Sequence, residues 1–351
     1  MSTPYTPESL STGWLSEALG AQVTAFEVEH FGEGAGVVGQ AVRVNLEGDF
    51  ASPSIIAKFP SPAAENRAVA AAYDMYGRET RFYQSMASQV AMRTPACYYA
   101  SHDPESGNFV LLLEDPKRFR IGDQVAGCSA ADARAVVRAL ARFHASAWAP
   151  GDSLGLPSHN NPAQRDGMIG GFGVGWPNIV EKFAHLIPDS ARVAEHALPE
   201  ATPRLLEEMC SDPVCISHAD VRLDNIFFDE VDPNTGEPRE VFFVDWQSVC
   251  TSAPEQDLAY FVTQSVPPST IDHAELLSLY HDTLTEAGVD YPRERFEHRY
   301  KVSALYLMNY AVVIAGTLDL GNERGVKLAE TLLGGCLRSL DTMNAFELLQ
   351  S

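Results

Sequence analysis

Alternating hydrophobic and polar positions in the first third of the chain predict a small sheet. Residues 23–31, 40–46, 54–59, 95–100 and 109–113 each have strand character. Apolar residues at helical spacing predict two helices in the same region, over 7–20, where Gly20 ends the helix, and over 64–89. The N-terminal region is therefore expected to be β-rich with helices beside the sheet.

The rest of the chain is predicted to be mostly helical. The pattern indicates helices over residues 129–148, 177–186, 190–210, 255–265, 271–288, 293–319 and 323–348. Residues 149–178 differ, because they are rich in Gly and Pro and have little regular pattern. We interpret this stretch either as a binding-site wall anchored by Met168, Phe172 and Trp176 or as a surface connection.

A glycine-rich turn separates the first two predicted strands. Gly34, Gly36 and Gly39 match G-x-G-x-x-G, which alone is a weak signal. A dinucleotide-binding fold requires a helix after the glycines, but residues 40–46 alternate as a strand does. Strand, glycine loop and strand is the arrangement by which protein kinases cover nucleotide phosphates. A plain glycine hairpin is the alternative.

Lys58 interrupts an apolar strand that begins at Ile55. A lysine in that position resembles the one that protein kinases pair with nucleotide phosphates and with a glutamate on the next helix. A lysine extending from a sheet edge into solvent is the alternative. Glu79 is the predicted partner because Phe82 and Tyr83 would turn its segment inward, and Glu65 is the rival. Further on, an apolar strand runs into Leu113, Glu114 and Asp115, where the backbone of a hinge could bind an adenine.

The densest chemistry lies in residues 215–247. His218, Asp220 and Asn225 form His-x-Asp-x4-Asn between two short strands, and Asp245 ends a later strand. Asp220 is the candidate to accept or orient a hydroxyl proton. Asn225 and Asp245 offer the oxygen ligands that Mg²⁺ prefers. The motif alone is common, but with the upstream glycines, Lys58 and Glu79 in kinase order it is specific for phosphoryl transfer.

The sequence His-Ala-Asp-Val-Arg-Leu-Asp-Asn-Ile-Phe-Phe, with Val-Asp-Trp-Gln after it, resembles the aminoglycoside phosphotransferase/choline kinase-like superfamily. It is most similar to the ecdysteroid-kinase-like and acyl-CoA-dehydrogenase-associated phosphotransferase branch, and the resemblance covers about residues 25–345. It implies an α+β, bilobal protein-kinase-like fold with a small β-rich N-lobe and a large, mostly helical C-lobe. It also implies Asp220 as the catalytic Asp and Asn225 and Asp245 as metal ligands.

Two departures from these patterns carry information. Ala219 stands where the family commonly has Gly, and Gln247 stands where protein kinases have the Gly of Asp-Phe-Gly. No Ala-Pro-Glu segment follows, which argues against a protein substrate. Asp257 and His144 are expected to have structural roles, and Arg222 and Asp224 are expected to support the loop. Tyr306 and Tyr310 are expected either in the core or beside a pocket.

The composition argues against some classes of binding partner. The net charge of −22 argues against nucleic acid and anionic membranes, which are bound mainly through basic patches. The charge is compatible with a cationic substrate, but solubility alone is the favoured explanation. The six cysteines are scattered without zinc-site spacing, and no signal peptide or membrane span is apparent, so we expect the cytoplasm.

The resulting hypothesis is an ATP- and Mg²⁺-dependent phosphotransferase acting on a small hydroxylated acceptor, with GTP as the alternative nucleotide. The predicted domains are residues 1–115, a nucleotide-binding lobe, and residues 116–351, a catalytic and acceptor-binding lobe. An aminoglycoside or amino-sugar kinase is a more specific alternative. A nucleotide-binding pseudokinase scaffold is the alternative from another class. The sequence specifies neither the acceptor nor the oligomeric state.

Overall fold

The computed structural model describes residues 3–31, 38–150, 155–317 and 323–350. Contacts divide the chain into two compact units. Unit 1 comprises Met1–Gln89, Arg93–Phe119 and Val244–Ser248, and unit 2 comprises Val90–Met92, Arg120–Phe243 and Val249–Ser351. The predicted functional division at residue 115 stays a prediction.

Unit 1 contains a five-stranded antiparallel sheet. Its strands are β1 (Val23–His30), β2 (Gly39–Gly48), β3 (Ser54–Pro60), β4 (Cys97–Asp103) and β5 (Asn108–Glu114), in the order β1-β2-β3-β5-β4. Helix α1 (Thr12–Leu19) packs Trp14 and Leu15 into a core with Ile55, Ala57 and Phe59. Because side chains alternate along a strand, Lys58 of β3 lies on the opposite face of the sheet from these three residues.

The predicted helix over 64–89 is two helices, α2 (Ala64–Ala72) and α3 (Met75–Ser85). The break is at Asp74, whose φ of 50° is in the left-handed region and cannot continue a right-handed helix. Helix α3 buries Tyr76, Glu79 and Phe82. The break therefore separates a mostly exposed helix from one that carries a buried carboxylate.

Unit 2 is mostly helical. Its helices are α4 (Ala130–Ser146), α5 (Pro162–Lys182), α6 (Ala194–Met209), α7 (Glu255–Ser265), α8 (His273–Glu286), α9 (Arg293–Thr317) and α10 (Glu323–Thr342). Its strands are short: β6 (Arg120–Ile121), β7 (Cys215–Ser217), β8 (Ile226–Phe228), β9 (Val241–Phe243) and β10 (Cys250–Ser252). They form one sheet in the order β6-β8-β9 and a β10-β7 pair. Every residue of α7 is buried, which makes it the central helix of the unit. The predicted α+β class is confirmed.

The prediction of an irregular segment over 149–178 is wrong for residues 162–178, and Pro177 lies inside a helix rather than at its start. Helix α5 begins after Asn161, whose side chain accepts a hydrogen bond from the backbone N–H of Gln164 at 3.0 Å. A Cβ at Gly175 would lie 2.7 Å from the carbonyl oxygen of Val312 in α9. The glycines therefore permit close packing of two helices, a tertiary requirement that a sequence pattern does not reveal.

Candidate active site

Lys58, Glu79 and Asp245 meet in unit 1. Strand β3 places Lys58 opposite Ala41 of β2, and α3 presents Glu79 from the next helical segment. The Lys58 Nζ atom lies 2.6 and 2.8 Å from the two Glu79 oxygens and 2.8 Å from Asp245 Oδ1. The ion pair expected between Lys58 and Glu79 is present, whereas Glu65 is exposed on α2.

The pKa values of Lys58 and Glu79 depend on each other's charge and on that of Asp245. Burial alone would lower the pKa of Lys58, but the carboxylates of Asp245 and Glu79 raise it above its ordinary value. Burial raises the pKa of Glu79, and Lys58 offsets only part of that rise. Lys58 therefore stays a cation, fixed between two carboxylates, and can present positive charge to an anionic ligand.

Trp246 holds the Asp245 segment against α3. Its ring stacks on Phe82 with centroids 3.8 Å apart and an interplanar angle of 8°. Asp245 has a φ of 65°, so the chain turns sharply as it leaves the strand. Trp246 was not among the predicted site residues, although a tryptophan directly after a candidate metal ligand is a signal from which its packing role could have been inferred.

Asp220 and Asn225 meet in unit 2, in the loop between β7 and β8. Asn225 Nδ2 donates to both the backbone oxygen and Oδ2 of Asp220, each at 3.0 Å. The Nε atom of Arg222 lies 3.3 Å from Asp220 Oδ1. The Asp220 side chain is 20% exposed, so it is held firmly yet remains accessible to a ligand.

Asp257 of α7 anchors the start of this loop, as expected. Its carboxylate accepts hydrogen bonds from the backbone N–H groups of His218, at 2.7 Å, and Ala219, at 2.8 Å. His144 Nε2 lies 3.2 Å from the same carboxylate, and its Nδ1 lies 2.6 Å from the Tyr280 hydroxyl. Burial alone would raise the pKa of Asp257, but His144 and the backbone donors lower it below its usual value. Both residues therefore support the loop from within the core.

Ala219 adopts a left-handed backbone conformation, with a φ of 63°. For a non-glycine residue this conformation costs about 1–2 kcal/mol. The glycine that the family commonly has at this position would adopt it without strain. The hydrogen bond from Ala219 N–H to Asp257 helps to offset that cost.

The glycine motif is only partly described. Gly34 and Gly36 lie outside the described residues, whereas Gly39 opens β2 and pairs with Pro60. A Cβ at Gly39 would lie 3.3 Å from the carbonyl oxygen of Phe59. The strand after the glycines, which distinguished a kinase-type loop from a dinucleotide-binding turn, is present as β2.

The expected hinge segment ends β5. Leu113 is buried, and the N–H of Glu114 already donates to the Ala96 oxygen at 2.8 Å. The Glu114 carboxylate pairs with Arg93 at 2.8 Å. Asp115 pairs with Arg43 at 2.7 Å and accepts from the Ser54 hydroxyl at 2.6 Å. The Glu114 N–H and the carboxylates of Glu114 and Asp115 therefore already have partners within unit 1. A bound base would have to use the remaining backbone groups of residues 113–115.

A polar aromatic cluster in unit 2 was only partly foreseen. Gln164 Nε2 of α5 donates to the hydroxyls of Tyr306, at 3.0 Å, and Tyr310, at 2.8 Å. The ring of Tyr310 contacts Tyr260 of α7, with centroids 6.1 Å apart. Burial raises the pKa of Tyr260, and the neighbouring charge of Asp220 raises it further. Tyr306 belongs to the core, whereas Tyr310 is half-buried.

The side chains of Asn225 and Asp245 each carry an oxygen atom of the kind that Mg²⁺ prefers. Asn225 Nδ2 donates hydrogen bonds to two oxygen atoms of Asp220, which fixes the orientation of the amide, so the side-chain oxygen of Asn225 is the atom suited to a metal. Asp245 supplies a carboxylate. Within the described residues, no group of three or more His, Cys, Asp or Glu is arranged to hold a metal.

None of the helices in the described ranges has both the length and the apolar character needed to cross a membrane.

Comparison with protein families identifies a match over about two thirds of the chain. A family model described as the ecdysteroid kinase-like family matches residues 34–153 and 178–289 of the chain. These ranges include all the residues predicted to bind nucleotide, hold metal or act in catalysis. Among curated proteins, none matches the sequence.

Solved structures share the fold at low sequence identity. A Ralstonia eutropha protein assigned provisionally to the aminoglycoside phosphotransferases is 15% identical, with a TM-score of 0.55 and 97% of each chain covered. The GDP complex of aminoglycoside 2′-phosphotransferase-IIIa is 14% identical, with a TM-score of 0.54, covering 90% of this chain and 94% of that one. A microcompartment-associated aminopropanol kinase is 12% identical, with a TM-score of 0.55, covering 96% and 99%.

Proposed function

Because the chain belongs to the ecdysteroid kinase-like family and is therefore a small-molecule kinase, we propose that it transfers the γ-phosphoryl group of ATP to a hydroxyl of a small molecule with the aid of Mg²⁺. The observation that carries this proposal is the group formed by Lys58, Glu79 and Asp245. It places a permanent cation beside a potential metal ligand, which phosphoryl transfer requires.

Each residue has a definite part in this proposal. Lys58 binds the nucleotide phosphates, and Glu79 holds it in place. Asn225 and Asp245 would hold the Mg²⁺ ion, which neutralises charge on the transferring group when it is bound. Asp220 accepts or orients the proton of the acceptor hydroxyl, and Arg222 and Asn225 fix its carboxylate. Transfer then depends mainly on positioning and electrostatics.

The glycines at positions 34, 36 and 39 cover the phosphates in this proposal, and the backbone of residues 113–115 faces the base. ATP is the proposed nucleotide and GTP the alternative. GDP is the nucleotide in the complex of the fold relative aminoglycoside 2′-phosphotransferase-IIIa. Six free thiols suit the reducing cytoplasm, where we place the protein.

The acceptor carries a hydroxyl group, and we place it beside Asp220 and Tyr310 in unit 2. Tyr310 supports this placement because its ring contacts Tyr260, which is adjacent to Asp220, while it remains half-buried. An aminoglycoside or amino-sugar acceptor is the second candidate. The names of two fold relatives, an aminoglycoside phosphotransferase and an aminopropanol kinase, both point to amine-bearing alcohols.

The test is a screen for ADP release over a library of hydroxylated compounds, with phosphorus NMR to locate the product. Asp220→Asn should abolish transfer, a loss of at least about 100-fold in kcat, and leave nucleotide affinity unchanged. A contrary outcome is that the wild-type protein binds nucleotide without transferring phosphate to any acceptor and without even slow hydrolysis of ATP. That result would instead favour a nucleotide-binding scaffold. Unchanged turnover in Asp220→Asn would remove Asp220 from the proposed role.

A further inference from the structure

Gln124 lies under the second half of the Asp220–Asn225 loop. It follows β6 in the chain and is fully buried. Its Oε1 atom accepts hydrogen bonds from the backbone N–H of Leu223, at 2.8 Å, and from the hydroxyl of Ser265, at 3.1 Å. Its Nε2 donates to the carbonyl oxygen of Gln264 at 2.7 Å. One amide side chain therefore joins the loop to the C-terminal end of α7.

The orientation of this amide is determined by its backbone partners. The Leu223 N–H can only donate and the Gln264 carbonyl can only accept, so exchanging the oxygen and nitrogen of Gln124 would break both bonds. The backbone N–H of Gln124 also donates to Asp224 Oδ1 at 3.1 Å. Gln124 thus binds two consecutive residues of the loop.

Helix α7 consequently holds the loop at both ends. Asp257, near its start, binds His218 and Ala219 directly, and Gln264 and Ser265, at its end, bind Leu223 through Gln124. Asp220 lies between these two attachments, and Asn225 lies two residues after the second, Leu223.

The backbone beside Gln124 fits the loop closely. The N–H of Gly122 donates to the carbonyl oxygen of Ile226 at 2.9 Å, and a Cβ at Gly122 would lie 2.5 Å from the Leu223 oxygen. The segment that carries Gln124 therefore cannot shift without moving residues 223–226. The contact is specific in both its hydrogen bonds and its packing.

We propose that Gln124 is a positioning residue for phosphoryl transfer, which sets the distance between Asp220 and Asn225 by fixing Leu223 to the end of α7. The proposal rests on the function proposed above. Gln124 touches neither substrate nor metal in this role. Its loss should lower the rate of the chemical step and leave nucleotide binding intact, because small displacements of reacting groups reduce rate strongly.

Two variants test this role. Gln124→Leu removes all three side-chain hydrogen bonds and should lower kcat by about 10- to 100-fold, with unchanged KM for the nucleotide. Gln124→Glu can still accept from Leu223 but, when ionised, cannot donate to Gln264. Burial raises the pKa of such a carboxyl, and its protonated form restores the donor. The kcat of Gln124→Glu relative to wild type should therefore rise as the pH is lowered from about 8 to about 6.

Gln256→Glu is the matched control, because Gln256 is equally buried on α7 and its side chain contacts His159 rather than the loop. Rates are expressed per folded molecule, with the folded fraction measured at each pH. Gln256→Glu should lose folded protein without a pH-dependent recovery of kcat. A Gln124→Glu rate ratio independent of pH, or a Gln124→Leu loss confined to nucleotide KM, would overturn the proposal.

Hydrogen–deuterium exchange separates this inference from the proposed function. In Gln124→Leu the amide of Leu223 should exchange faster than in wild type, while the amides of His218 and Ala219, which Asp257 binds, keep their protection. This result can be obtained even if no acceptor is phosphorylated, in which case only the proposed function fails. Unchanged exchange at Leu223 would contradict the positioning role whatever the activity.

Discussion

Replacing Asp257 by Asn should destabilise the protein and slow transfer. The carboxylate accepts hydrogen bonds from His218 N–H, Ala219 N–H and His144. Asn retains one acceptor oxygen and turns an NH₂ group toward a buried donor, so at least one backbone N–H is left without a partner. That loss costs about 1–3 kcal/mol, and the remaining bonds lose the assistance of the charge. We expect a total of about 3 kcal/mol in the free energy of unfolding.

The effect on rate follows from the same hydrogen bonds. The hydrogen bond to Asp257 helps to hold Ala219 in its left-handed conformation. If that bond is lost, the neighbouring Asp220 can shift. A displacement near 1 Å would lower kcat by about 100-fold. Urea unfolding and steady-state kinetics measure the two effects. Asp189→Asn, at a side chain that is 97% exposed, is the matched control and should change stability by less than about 0.5 kcal/mol.

The pH dependence provides the refuting result. The folded pKa of Asp257 is lower than its ordinary value. Its contribution to stability is therefore complete above the unfolded pKa of about 3.9 and is lost as the pH falls through the folded pKa. The stability difference between wild type and Asp257→Asn should shrink below about pH 4. A difference that is absent at neutral pH, or that grows with acid, would refute the anchoring role.

Two further substitutions test local features. Ala219→Gly should leave kcat unchanged and raise the free energy of unfolding by up to about 1 kcal/mol in urea titrations, since glycine adopts the left-handed conformation without strain; a loss of stability would contradict this. Gly175→Ala should cost about 1–3 kcal/mol because its Cβ would meet the backbone of α9. Gly173→Ala, on the same helix with open space around it, should instead stabilise by about 0.5–1 kcal/mol. Equal effects of the two glycine substitutions would exclude close packing as the reason for Gly175.

The sequence was most informative where chemistry and local pattern coincide. Lys58 on an apolar strand and Glu79 before Phe82 predicted an ion pair that the structure contains. Asp257 was predicted to support the loop, and in the structure it accepts hydrogen bonds from the backbone N–H groups of His218 and Ala219. The roles of Asp220, Asn225 and Asp245 in catalysis stay predictions that the proposed kinetics would test.

The sequence was least informative where a residue acts through distant partners. Helix α5 was not predicted because glycine is a poor helix former, and only the contact with α9 explains why Gly175 is there. Gln124 gave no signal, since its partners lie 99 and 140 residues further along the chain. The break at Asp74 was also missed, because the apolar pattern continues across it.

The five residues Val244–Ser248 belong to unit 1, although the chain reaches them only after more than half of unit 2. During synthesis on the ribosome, Phe82 is made 164 residues before Trp246, the residue on whose ring it stacks. Lys58 likewise has only Glu79 as its carboxylate partner in this group until Asp245 is made. Unit 1 therefore cannot be completed in the order in which it is translated, and a fragment ending at residue 119 would expose an apolar aromatic surface. The last segment of unit 1 directly follows β9, a strand of unit 2, so unit 1 is complete only when translation has passed β9.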